Sequence, residues 1–188
     1  MYTRSLFFSS FLLLSFLFLG AGCPRFYETN PVSETIKPDF EASLYTNTDY
    51  EFGFYYPSSM DVKPRPVEEW QTEYLGLSAD FFLSVRSSKQ PSGDLENLLF
   101  FYATKESVDV DQFLEALTSS DPVSIQILET EEIKQGGLIL TKVISTTASG
   151  TDKIHYLFSQ KDRLIILSEF LLQEEQTIPL ISTLHLVE

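Results

Sequence analysis

Cysteine and histidine are nearly absent: one Cys, Cys23, and two His, His155 and His185, among 188 residues. A lone Cys forms no internal disulfide, and without Cys partners the two imidazoles make no His/Cys metal site. Basic residues are scarce too, 13 Lys and Arg against 27 Asp and Glu, for a formal net charge of −14. Phosphate backbones and anionic headgroups repel such a chain, which excludes nucleic-acid binding and adsorption through a basic patch. There is no GxSxG elbow and no Gly-rich phosphate loop; Ser149-Gly150 stands in a turn with no base nearby in sequence. Asp109 and Asp111 flank a helix start and lack the Gly and terminal Glu of a calcium loop. No cofactor, metal or catalytic residue is expected.

One long hydrophobic run is present. Ser5 to Gly22 carries no charge, follows Arg4, and ends in Gly20, Ala21 and Gly22 directly before Cys23. That order of basic start, apolar run and small residues is the pattern of an export signal. The expected organisation is a signal peptide over residues 1–22, a flexible tether over 23–43 and a globular domain over 44–188. Cleavage before Cys23 removes one Arg and no acid, taking the net charge to −15 over 166 residues. A chain of that length suits one domain burying roughly 70% of its unfolded surface. It retains 20 aromatic residues after Tyr2 and five Phe are lost, ample for a core.

Leu19-Gly20-Ala21-Gly22-Cys23 resembles the lipobox of bacterial lipoproteins, in which the Cys thiol is acylated and becomes the new N-terminus; Gly20 stands where that family prefers an aliphatic residue. The resemblance implies lipidation at Cys23 and attachment to the extracytoplasmic side of a cell membrane. At about 0.8 kcal/mol per buried CH₂, several acyl chains anchor a domain firmly. An ordinary secretory signal leaving a free thiol, and an uncleaved anchor, are the competing readings. The tether, with Pro24, Pro31 and Pro38 among polar residues, would span roughly 25–30 Å.

In the domain, Phe52, Phe54 and Tyr56 alternate along a strand that Pro57 ends, with Phe40 to Tyr45 as a short lead-in. Phe81 to Val85, Leu98 to Ala103, Leu138 to Ile144 and Leu164 to Leu172 are apolar at both parities, the mark of strands buried on both faces. Gly136-Gly137 suits a tight hairpin, and polar links at Ser149 to Asp152 and Gln160 to Arg163 extend it as a meander. Two helices are predicted as covers. Val110, Phe113, Leu114 and Leu117 follow helical spacing behind a capping pair, Asp109 and Gln112. Glu174 to Leu184 puts Ile178, Ile181 and Leu184 on one stripe, with Pro179 in the first turn. One helix per face makes the expected fold α/β: a largely antiparallel sheet covered on both faces, a three-layer α-β-α sandwich.

Tyr50-Glu51-Phe52-Gly53-Phe54-Tyr55-Tyr56-Pro57-Ser58-Ser59-Met60 resembles the "YGFSFKYPSSW" opening strand of PsbP-like bacterial lipoproteins, relatives in fold of the PsbP subunit of photosystem II; Met60 replaces the usual Trp. The resemblance implies an α-β-α sandwich serving as an assembly or accessory factor, and it transfers no functional residue.

The function expected is a non-catalytic, membrane-tethered binding or assembly module, monomeric, with a protein partner whose identity the sequence does not specify. A hydrolase would need Glu129, Glu131 or His155 to converge in a cleft, and a carrier of a small apolar ligand would need an enclosed aromatic cavity. The segment Val62 to Gly76 interrupts the strand pattern with Pro64 and Pro66 and holds the only Trp. Trp70 and Tyr74, with Lys63 and Arg65, form the candidate partner contact, since Trp, Tyr and Arg are enriched at binding hot spots. The competing reading is a packed flap whose Trp plugs the sheet edge.

Overall fold

The structure is a computed structural model that describes residues 38–64, 71–87, 96–119, 125–170 and 174–187. The residues expected to form the signal peptide, Cys23, most of the expected tether, Arg65 and Trp70 lie outside the described residues.

In chain order the elements are β1 (Ala42–Asn47), β2 (Phe52–Pro57), β3 (Met60–Pro64), β4 (Gln71–Tyr74), β5 (Leu77–Ser87), β6 (Glu96–Thr104), α1 (Val110–Ser119), β7 (Gln126–Gln135), β8 (Leu138–Thr146), β9 (Asp152–Gln160), β10 (Arg163–Phe170), α2 (Glu174–Ile181) and β11 (His185–Leu186). They form two antiparallel sheets. The larger runs β3-β5-β6-β10-β9-β8-β7, with β4 also paired to β5; the smaller runs β1-β2-β11. β3 and β4 line one edge of β5 in succession, Pro64 opposite Leu83 and Gln71 opposite Asp80.

The hairpins follow local chemistry. Gly136 and Gly137 have φ of +54° and +83°, matching the twist of β7 and β8. Lys161 and Asp162 adopt the same hand, at +50° and +59°, to join β9 to β10. Asp109 accepts from the Gln112 amide at 2.8 Å while Gln112 accepts from the Asp109 amide at 2.9 Å, the reciprocal cap that starts α1.

Alternation along the central strands divides the core. One face gathers Val143, Leu157, Leu164 and Ile166 beneath Phe113 and Leu117 of α1. The opposite face gathers Leu140, Ile154, Tyr156, Phe158, Ile165 and Leu167 with Phe101 of β6. A register shift in β5 lets the neighbours Phe82 and Leu83 both join that second face.

This arrangement overturns the expected α/β three-layer α-β-α sandwich. The molecule is mostly β, and its second face is covered chiefly by a second sheet. β2, expected inside the main sheet, pairs with β1 and β11 instead and stacks its rings on the main sheet, Phe54 on Phe101 at 5.4 Å. The physical reason is size. α2 has eight residues, about 12 Å of helix, too little to cover so wide a sheet. Its packing keeps Ile181 and Leu184 of the predicted stripe buried but adds Thr177 and Leu180, leaves Ile178 48% exposed, and sets Pro179 past the first turn.

Candidate functional site

Among the buried polar side chains of the described residues, those around His155 and those around Glu169 form clusters. Under α1, His155 of β9 lies opposite Ser168 of β10, and Tyr74 at the end of β4 lays its ring on Tyr102, centroids 4.3 Å apart. The Tyr74 hydroxyl donates to Ser168 Oγ at 2.8 Å and sits 3.4 Å from His155 Nδ1. His155 Nε2 has no partner, and the edge of Phe113 closes over the ring. Burial holds the imidazole down to about 3 and pushes the Tyr74 phenol well above its ordinary range. His155 is thus a neutral group with 1% of its surface exposed. The trio contains a hydroxyl, an imidazole and a phenol, with His155 and Ser168 buried and Tyr74 half-buried.

On the opposite face, Glu169 of β10 is 2% exposed beneath the start of α2. Lys142 of β8 and Tyr156 of β9 are cross-strand partners beside it, and the Lys142 ammonium is bound to the Glu174 carboxylate. The Tyr156 and Thr177 hydroxyls face Glu169 and favour its charged form, yet neither closes a hydrogen bond of ordinary geometry, and both carboxyl oxygens stay unpartnered. Burial, reinforced by the Glu174 charge, pushes the Glu169 carboxyl up to about 7. The same burial, with Glu169 and Glu174 nearby, raises the Tyr156 phenol. Sequence reasoning missed this cluster. Its signal was a single carboxylate inside the apolar run Leu164 to Leu172.

A polar cleft of about 410 Å³ separates the start of α1 from the β9–β10 turn, lined by Asp109, Gln112, Gln160, Lys161 and Arg163 among others. Its cations are already engaged: Lys161 with Glu51 at 2.9 Å, Arg163 with the Thr104 carbonyl at 2.7 Å.

Of the predicted contact residues, Lys63 lies at the surface in a 3.5 Å ion pair with Asp61, and Tyr74 turns its hydroxyl inward as above. Glu129 and Glu131 are exposed on β7, an edge strand, and alternation puts them on the face opposite His155, so the trio weighed for a hydrolase does not converge. A row of carboxylates on an edge strand discourages pairing with another chain. His185 stacks on Tyr55 at 5.8 Å with Nδ1 2.8 Å from the Thr183 carbonyl. Among the described residues no three His, Cys, Asp or Glu are grouped to hold a metal ion.

Two packed antiparallel sheets with a helix on the outer face of the larger define a PsbP-like fold. The solution structure of cyanobacterial PsbP from Synechocystis sp. PCC 6803 superposes with a TM-score of 0.51 at 10% identity, over 77% of this chain and 92% of that one. A Pseudomonas aeruginosa protein of unknown function, PA94, matches at 13% identity over 74% of this chain and 90% of that one, but its TM-score of 0.33 is too low to bear on the fold. No family model and no curated protein matches the chain.

Proposed function

We propose that the chain is a lipid-anchored module on the extracytoplasmic side of a bacterial membrane that binds or assembles a protein partner without catalysing a reaction. The observation that supports this reading most is where the reactive groups sit: His155, Ser168 and Glu169 are buried under α1 and α2. Sealed groups shape a scaffold; they do not turn over substrate. The PsbP-like fold fits the same reading, as does an acidic surface suited to a partner carrying positive charge. Cys23 would carry the acyl anchor. Trp70, with Lys63 and Arg65, would form the contact, and Tyr74 would fasten that segment to the core through Ser168.

Fractionation and capture from intact cells test the two halves separately. Cys23→Ser is expected to move the protein from membranes to the soluble fraction; membrane retention of a chain with no lipid mass would refute the anchor. Trp70→Ala is expected to lose a partner recovered by cross-linking while the melting temperature stays within about 2 °C, the range of a surface substitution. A large loss of stability would instead place the indole in the core.

A further inference from the structure

We propose that the seat of α2 on the main sheet is gated by a proton: with Glu169 protonated, α2 rests closed over the cluster, and ionisation of Glu169 loosens the helix from its Glu174–Thr177 end while the sheet stays intact. The geometry carries this. Glu169 is buried with both carboxyl oxygens unpartnered, an arrangement a neutral carboxyl tolerates and a charged one does not. The groups facing it are Lys142 from β8, Tyr156 from β9, and Glu174 and Thr177 from α2; β6, on the other side of β10, brings apolar Leu99 and Phe101. Lys142 is the single cation among them, and Glu174 already holds it. A charge on Glu169 therefore sets two carboxylates competing for one ammonium, with Glu169 itself buried while Lys142 and Glu174 are partly exposed.

Relief comes from the element that is cheapest to move. β8, β9 and β10 are tied by continuous ladders, whereas α2 is eight residues long and carries Pro179, which has no amide hydrogen to close the helical bond to Glu175. Shifting Glu174 outward admits water to Glu169 and separates the like charges. The sign follows from the raised carboxyl. Its folded value of about 7 lies above the ordinary 4.5, so the closed form holds a proton that an opened form gives up, and closure weakens as pH rises toward and past 7.

The test is amide hydrogen exchange of the full chain, corrected for intrinsic base catalysis, beside a carboxyl ¹³C titration. Protection across Glu174–Ile181 is expected to fall about tenfold between roughly pH 6 and pH 8, the linkage expected of one group titrating near 7, while β9 and β10 keep theirs. Glu169→Gln, which mimics the neutral carboxyl, is expected to hold α2 protected at both pH values. The Glu169 carboxyl is expected to titrate near neutrality in the wild-type chain, a reading that stands even if the Gln variant fails to fold. A midpoint in the ordinary carboxylate range, α2 protection that ignores pH, or an equal loss in Glu169→Gln would each overturn the proposal.

Discussion

His155 has no ionised partner and almost no contact with water, so folding keeps it neutral at a cost that grows as the medium turns acidic. Its folded value of about 3 lies below the ordinary 6.5. The unfolded chain takes up this proton first, so stability from His155 is complete above 6.5 and is lost as pH falls toward 3, at most about 1.4 kcal/mol per pH unit. Glu169 acts in the opposite sense: its contribution is complete below 4.5 and declines as pH rises to about 7. Between 4.5 and 6.5 the two slopes offset each other. His155→Leu, close in volume and unable to titrate, is expected to remove the acid limb and leave stability falling with pH across that interval. Urea midpoints at a series of pH values check this; an acid limb as steep as that of the wild type would clear His155 of the role.

At the scale of elements, the turns divide into those whose glycine is needed for φ alone and those where space also decides. Gly136 and Gly150 both have positive φ, but a methyl group on Gly150 meets nothing within 4 Å, whereas on Gly136 it would lie 2.3 Å from the Leu184 carbonyl oxygen. The Gly136 carbonyl also accepts from the Leu186 amide at 3.0 Å, which brings β11 against the β7–β8 turn. Gly150→Ala is expected to cost about 1 kcal/mol through backbone conformation. Gly136→Ala adds an overpacking penalty of roughly 1–3 kcal/mol because backbone must shift. Chemical denaturation distinguishes them, and equal losses would show that β11 yields freely. Both the Gly-Gly hairpin and the Asp109–Gln112 cap were legible in the sequence, because each depends on residues within a few positions of one another. The burial of α2 was legible only in part: spacing put Ile178, Ile181 and Leu184 on one stripe, and contact with the sheet buries Ile181 and Leu184 together with Thr177 and Leu180 while Ile178 stays exposed.

For the whole molecule, the joint between the two sheets is the structural centre. Phe52 meets Phe101 at 6.1 Å, Phe82 at 6.2 Å and Phe158 at 5.4 Å, so one ring of the small sheet touches three strands of the large one. Phe52→Ala is expected to cost about 3–5 kcal/mol, and Ile178→Ala no more than about 0.5 kcal/mol. Thermal unfolding of the two variants checks the assignment; a costly Ile178→Ala would restore the helix-covered arrangement. By itself the sequence determined most strands of the large sheet, their tight turns, the capped helix and the need for cover on both faces, because alternation and turn chemistry are properties of neighbouring residues. It missed β3 and β4, which pair with β5 and overlap the Val62 to Gly76 segment that it read as an interruption. Only the tertiary structure decided what provides that cover. An aromatic strand has the same pattern whether it joins a sheet or lies across it, and the choice turns on pairing with β1 and β11, distant in sequence from the surface they help to bury. Glu169 follows the same logic: its place in an apolar run is local, but its proton is held by what α2 and β8 bring to it.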